Sequence, residues 1–146
     1  MSQEWIKKEY RISTNRSELD MEVIHGFLKT AYWCEGIPLE TLNRAIENSL
    51  SFGIYKKGAQ VGFARVVTDF ASYAYVCDVF VVEAERGKGI SKWLMDVIVN
   101  HPELQGFRRW TLATRDAHGL YAQFGFRPLA VPDRFMERWD PDIYKK

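Results

Sequence analysis

The sequence predicts a mixed α/β fold, a mostly antiparallel sheet with helices on both faces. Three observations carry that reading. Helical-period segments and segments rich in branched and aromatic residues alternate along the chain. A strand-like run from Tyr73 to Val82 leads into a glycine turn and then an amphipathic segment. The 146 residues, 47% hydrophobic and 14% aromatic, suffice for one sizeable core and fall short of two. The expectation is one domain over residues 1–146.

Taken in order, Ser17-Glu18-Leu19-Asp20 reads as a capping box, and Met21, Ile24 and Leu28 follow at helical spacing. That predicts a first helix. Pro38, acceptable in a first turn, precedes Leu39, Leu42 and Ile46 on one face of a second. Phe52 to Tyr55, a Lys56-Lys57-Gly58 turn and Val61 to Thr68 read as a β-hairpin. Tyr73 to Val82 is a third, longer strand, its apolar end suited to burial on both faces. Ile90, Leu94, Val97 and Ile98 line a helix that ends before Pro102. Arg109 to Thr114 supplies another strand, and Ala117, Leu120, Tyr121 and Phe124 a last helical stripe stopped by Gly125. The tail after Phe126 is read as a final strand with irregular ends.

Composition narrows the function. Twenty Lys and Arg against 19 Asp and Glu leave a net charge of +1, so no overall field draws the chain to nucleic acid or a lipid surface. Small-molecule or peptide partners are expected instead. No leader and no membrane span is evident, which makes the cytoplasm the default location. Cys34 and Cys77 stand far apart without metal-ligand spacing, so buried free thiols are expected and no metal site.

The turn itself, Arg86-Gly87-Lys88-Gly89-Ile90-Ser91, is the most informative stretch. Glycines let backbone N–H groups approach a ligand, and the following helix start adds more of them with the positive end of its dipole. A phosphate-binding P-loop is excluded, because Val82 stands where its first glycine belongs and Gly89 where its hydroxyl does. A dinucleotide fingerprint is excluded as well, because Lys92 replaces its third glycine. On the turn alone, a pyrophosphate cradle and a merely tightened strand-to-helix corner fit equally well.

These residues resemble the GNAT superfamily of acetyl-coenzyme A dependent N-acetyltransferases. Its Arg/Gln-x-x-Gly-x-Gly/Ala signature is similar to Arg86–Ser91, with Ser91 in place of the final small residue. Downstream, Ala117 to Phe126, AHGLYAQFGF, is similar to the family's Ala-x-x-Phe/Leu-Tyr-x-x-x-Gly-Phe segment. The resemblance covers about Leu50 to Leu129 and implies a splayed sheet holding acetyl-coenzyme A as cosubstrate, with no metal. It places pyrophosphate contacts on Arg86, Gly87, Lys88, Gly89, Ile90 and Ser91, a strand-like contact to the pantetheine arm on Val81 and Val82, and a cofactor contact at Thr114. It also implies an amine acceptor, a small molecule or peptide, and dimerisation, common in that family, is the expected assembly.

Acetyl transfer to an amine needs a neutral nucleophile, stabilisation of an oxyanion and a proton for the leaving thiolate. Tyr121 matches the family's general acid, although periodicity alone would make it a core residue. For the base, Asp78 near the end of the long strand and His118 one turn before Tyr121 are candidates, alongside water; the family's best known base position falls on Tyr75 unless a β-bulge shifts the strand's parity. A structural salt bridge serves Asp78 equally well. His25 and His101 read as solvated or capping residues, and Glu83 and Glu85 as loop solvation. Tyr32, Trp33, Glu35, Tyr73 and Tyr75 would suit an amine pocket or the core. The function expected is N-acetyl transfer from acetyl-coenzyme A directly to a primary amine; the alternative is a non-catalytic acyl-coenzyme A binding module, motivated by Ser91 and the lack of an evident base.

Overall fold

A computed structural model describes residues 2–145. Six strands form one sheet in sequence order: β1 (Glu4–Lys7), β2 (Tyr10–Ser13), β3 (Leu50–Lys56), β4 (Ala59–Thr68), β5 (Tyr73–Val81) and β6 (Arg109–Leu112). All neighbours are antiparallel except β5 and β6, which run parallel. The β3–β4 loop holds Lys57 and Gly58 at φ 51° and 84°, the left-handed pair that a two-residue hairpin needs. The mixed sheet with helices on both faces is as expected.

Two segments differ from the sequence reading. The chain opens with the β1–β2 hairpin, whose short strands carry little periodicity and owe their place to pairing of β2 on β3. After Phe126 no strand forms among the described residues, only short 3-10 turns at Pro132–Arg134 and Ile143–Lys145. Pro128 and Pro132 remove two ladder donors there, so β6 is left as the sheet edge. The tail instead lays Phe135 against the Arg109 guanidinium at 4.9 Å and packs Tyr144 on the helical layer.

Helix α1 (Met21–Leu28) starts from Asp20, whose carboxylate accepts the N–H groups of Glu22 and Val23; the cap is thus Asp20 rather than Ser17. Helix α2 (Leu39–Glu47) has Pro38 as its N-cap. Ile24, Leu28, Leu42 and Ile46 from these helices bury against Phe63 and Phe80 on one face of the sheet. The opposite face carries α3 (Ile90–Val99), which buries Ile90, Leu94, Met95 and Ile98 against Phe52, Ala64, Val66 and Val76. Each such side chain taken fully from water contributes roughly 1.5–3 kcal/mol. His101 also lies in this layer, 2% exposed between the rings of Trp5 and Phe52, and its Nδ1 accepts the Glu103 N–H at 3.0 Å, so it is a buried capping residue and not a solvated one. Helix α4 (His118–Ala122) follows β6; past it, Gly125 at φ 90° lets the Phe126 N–H return to the Tyr121 carbonyl at 3.3 Å.

Candidate active site

The last residue pair between β5 and β6 joins Val76 to Leu112; from Cys77 to Val81, β5 runs on without a partner on that side. The parted strands open a cleft of about 660 Å³, roofed by the α1–α2 connection and walled by β5 and the β6–α4 segment. Just past that last pair, β5 is bulged against β4. Phe63 faces Phe80 and Arg65 faces Cys77, so β5 carries one residue more than β4 across this stretch. Asp78 sits within it at φ 54°, a left-handed backbone that costs an ordinary L-residue about 1–2 kcal/mol and that Asp tolerates better than most. The bulge changes the strand's parity, placing Phe80 on the face of the α1 and α2 layer and Val81 on the α3 face.

At the far end of β5 the Val82 N–H donates to Val61 at 2.9 Å, so Val82 is turned toward β4. By alternation the N–H and C=O of Val81 point into the cleft. The Arg86 Nε donates to that Val81 carbonyl at 2.9 Å, fixing the turn against the strand end. Gly87 and Gly89 take φ 79° and 78°, and a side chain at either would meet nothing within 4 Å. No side chain caps α3, and the N–H groups of Gly87, Gly89, Ile90, Ser91 and Lys92 donate to no acceptor among the described residues. Free donors in open space at a helix start form an anion cradle.

Glu85 departs from its expected loop solvation. It is 8% exposed and accepts the Tyr10 hydroxyl at 2.5 Å, with Lys88 at 3.2 Å and Lys56 at 3.4 Å. The Tyr10 hydrogen bond and the two ammonium groups hold its carboxyl below the usual range, against the effect of burial. Glu85 thereby ties the first hairpin and β3 to the glycine turn. Glu83 is exposed as expected.

The middle of the cleft holds the titratable groups. Tyr121 lines it, half-buried, with its ring against Phe126, and its hydroxyl has no hydrogen-bond partner among the described residues. Burial, with Tyr32 and Asp116 nearby, pushes its phenol up, so it stays protonated at neutral pH. Asp78 is 8% exposed; one carboxylate oxygen accepts the Trp33 indole N–H at 2.9 Å and the other pairs with the Arg65 Nε at 2.8 Å. Arg65 in turn donates to the Ser49 hydroxyl at 3.0 Å. The salt bridge foreseen for Asp78 is therefore formed. Burial and the Asp78 charge push both the Cys77 and the Cys34 thiol up to about 12.

Among the other sequence candidates, Tyr32, Trp33 and Tyr75 line the cleft together, whereas Glu35, Tyr73 and His118 do not. Tyr73 instead hydrogen-bonds the Thr111 hydroxyl across the β5–β6 pair, and His25 meets the Ile37 carbonyl at 2.8 Å. Thr114 lines the cleft, but its hydroxyl accepts the Ala117 N–H at 3.0 Å. Arg65, Arg115 and Asp116 escaped the sequence reading. Arg115 lies over the Tyr32 ring at 3.9 Å, a contact between segments far apart in the chain. Only Arg65, a charged residue inside an apolar strand, carried a local signal.

Comparison with known proteins gives one family. Residues 47–128 match the family model of the acetyltransferase (GNAT) domain. A solved GNAT-family protein from Xanthomonas campestris pv. campestris shares 49% identity with this chain at a TM-score of 0.92, over 94% of this chain and 97% of its own. A Gibberella zeae protein named for acetyltransferase activity is 26% identical over 83% of this chain and 80% of itself. The fold also matches, at a TM-score of 0.65 and 15% identity over 92% of this chain and 90% of the other, a GNAT family acetyltransferase from Elizabethkingia anophelis solved with acetyl-coenzyme A bound. A splayed sheet, a cradle of free backbone donors and these relatives converge: the chain belongs to the GNAT acetyltransferase family and is an acyltransferase.

Proposed function

We propose that this chain, acting as a single domain, moves an acetyl group from acetyl-coenzyme A directly to the primary amine of a small molecule or peptide. The observation that carries the reading is the set of unpaired N–H groups from Gly87 to Lys92, opening at the end of a strand whose free edge leads to Tyr121. They fit a pyrophosphate: the donors are free, Lys88 and Lys92 add charge, and no atom lies within 4 Å of where a side chain on either glycine would begin. Ser91 lines the same cleft, so its departure from the family's final Gly or Ala is compatible with a phosphate contact. Bound acetyl-coenzyme A would supply the acetyl group as an activated thioester.

The chain's own residues then divide the work. Arg86 orients the turn. The Val81 N–H offers the strand-like contact; Val82, whose N–H is spent on Val61, does not share it. Thr114, whose hydroxyl oxygen accepts the Ala117 N–H, keeps its O–H free to donate to the cosubstrate. Tyr121 holds its proton and delivers it to the departing sulfur. Asp78, with each oxygen already engaged, orients the cleft, and the amine's proton leaves through water. Tyr32, Trp33 and Tyr75 bound the acceptor side. A thiol held near 12 is a poor nucleophile at neutral pH, which favours direct transfer over a covalent cysteine intermediate.

A net charge of +1 gives no overall field for nucleic acid or a lipid surface, which supports a cytoplasmic protein acting on small molecules or peptides. The test is to incubate the protein with labelled acetyl-coenzyme A and a panel of primary amines. Labelled amide product is expected, together with a rise in thermal stability on adding coenzyme A. Binding without turnover across a broad panel would overturn the transferase reading.

A further inference from the structure

The α1–α2 connection brings two adjacent aromatic residues to the mouth of the cleft, and each is tied to a different lip. Trp33 donates its indole N–H to Asp78, inside the bulge of β5. Tyr32 stacks under the guanidinium of Arg115, on the segment that follows β6. The two rings meet each other edge to face at 5.1 Å, and Trp33 also packs against Phe27, which stacks on Phe80 at 4.1 Å. One short turn thus spans the gap where the strands part.

The tie to β5 falls on an unusual residue. Asp78 is a nearly buried carboxylate on a left-handed backbone, and its donors come from two other elements, Trp33 from the α1–α2 connection and Arg65 from β4. A carboxylate in such a place is held by those donors, and the bulge it belongs to decides which backbone groups of β5 face β4 and which face the cleft. Arg65 is anchored in turn by Ser49, just before β3. The chain Trp33–Asp78–Arg65–Ser49 therefore runs from the acceptor side of the cleft, through the bulge, into the sheet.

We infer that Trp33 is a positioning residue: through Asp78 it fixes the β5 bulge and hence the cleft-facing backbone at Val79 to Val81, while its neighbour Tyr32 steadies the opposite lip through Arg115. This rests on the cleft being the coenzyme A site. The acceptor-side turn and the cofactor strand then form one mechanical unit, so a change at the former is felt as binding at the latter.

Trp33→Phe keeps an aromatic ring against Phe27 and removes the N–H together with part of the indole's contact area. Hydrogen exchange followed by mass spectrometry should show the Cys77–Val81 segment exchanging about tenfold faster, with β2 and β3 unchanged, and coenzyme A affinity falling about tenfold. Asp78→Asn, which sets an amide donor against Arg65 or Trp33, should loosen the same segment, and Arg115→Met should have the smaller effect expected of an exposed cation–π contact. Unchanged exchange at Cys77–Val81 overturns the inference, and so does a loss of protection spread evenly over the sheet, which would mark a merely structural tryptophan. If the wild-type protein fails to bind coenzyme A, the cofactor reading falls, yet the exchange pattern still decides the role of Trp33.

Discussion

The two ends of the cleft are built by different means. The proposed cofactor end is main chain: two glycines at positive φ, an uncapped helix start and the cleft-facing N–H of Val81. The proposed acceptor end is side chain: Tyr32, Trp33, Tyr75 and Arg115, delivered by three segments, with Asp78 and Arg65 behind Trp33. A main-chain site tolerates almost any side chain so long as its glycines stay, which suits a cosubstrate shared by a whole family. A side-chain site can be rebuilt residue by residue, which suits acceptors that differ between members.

Gly89→Val is the strongest way to test that contrast. A β-branched residue at φ 78° strains the turn, and its side chain enters the space the free donors face. We expect the coenzyme A thermal shift to vanish, an affinity loss on the order of 10³-fold, or about 4 kcal/mol. A normal shift in the folded variant would place the pyrophosphate elsewhere. Next comes Tyr121→Phe, which keeps the ring and removes the proton. Turnover should fall about 10²-fold while coenzyme A binding holds, separating chemistry from the cradle. Because burial raises this phenol above its ordinary value of about 10, the alkaline limb of the wild-type rate assigned to Tyr121 should lie above that pH.

The same contrast explains what the sequence disclosed. The cradle and α3 were legible because glycine spacing and helical period are local signals, and Gly125 stopped α4 where a glycine should. The bulge that sequence left open as an alternative in β5 is present, and its place around Asp78 shows only in the register against β4. Glu85 looked solvated because nothing local announces Tyr10, seventy-five residues away, as its partner. The first hairpin has no sequence signal because its strands are four residues each, and the strand expected after Phe126 does not form among the described residues because prolines deny the ladder its donors. Arg115 could not be found at all without knowing that the chain folds Tyr32 beneath it.

Glu85→Gln asks whether the main-chain end is independent of its supports. The Tyr10 bond survives in part, and the pairing with Lys56 and Lys88 is lost. Coenzyme A affinity should drop a few-fold, far less than in Gly89→Val. The folded-state carboxyl lies below its unfolded value, so its contribution to stability is present above about pH 4.3 and is lost as pH falls through the folded value. Chemical denaturation across pH 2 to 7 should show that part of the acid limb flattened in the variant; an unchanged acid limb would mean the cluster adds nothing to the turn.

The smallest effect is expected at Cys77, which lines the cleft beside Asp78 and is the thiol best placed to be mistaken for a nucleophile. Burial is the main cause of its high pKa, about 12, and the neighbouring carboxylate adds to it, so the thiolate is a trace species at pH 7. Cys77→Ala removes one sulfur from a wall that aromatic and aliphatic side chains otherwise share. Turnover should stay within about twofold and coenzyme A affinity should not move, because neither end of the cleft uses this side chain. A loss comparable to that in Tyr121→Phe, or acetylated Cys77 trapped by mass spectrometry, would replace direct transfer with a covalent route and make the acceptor side part of the chemistry.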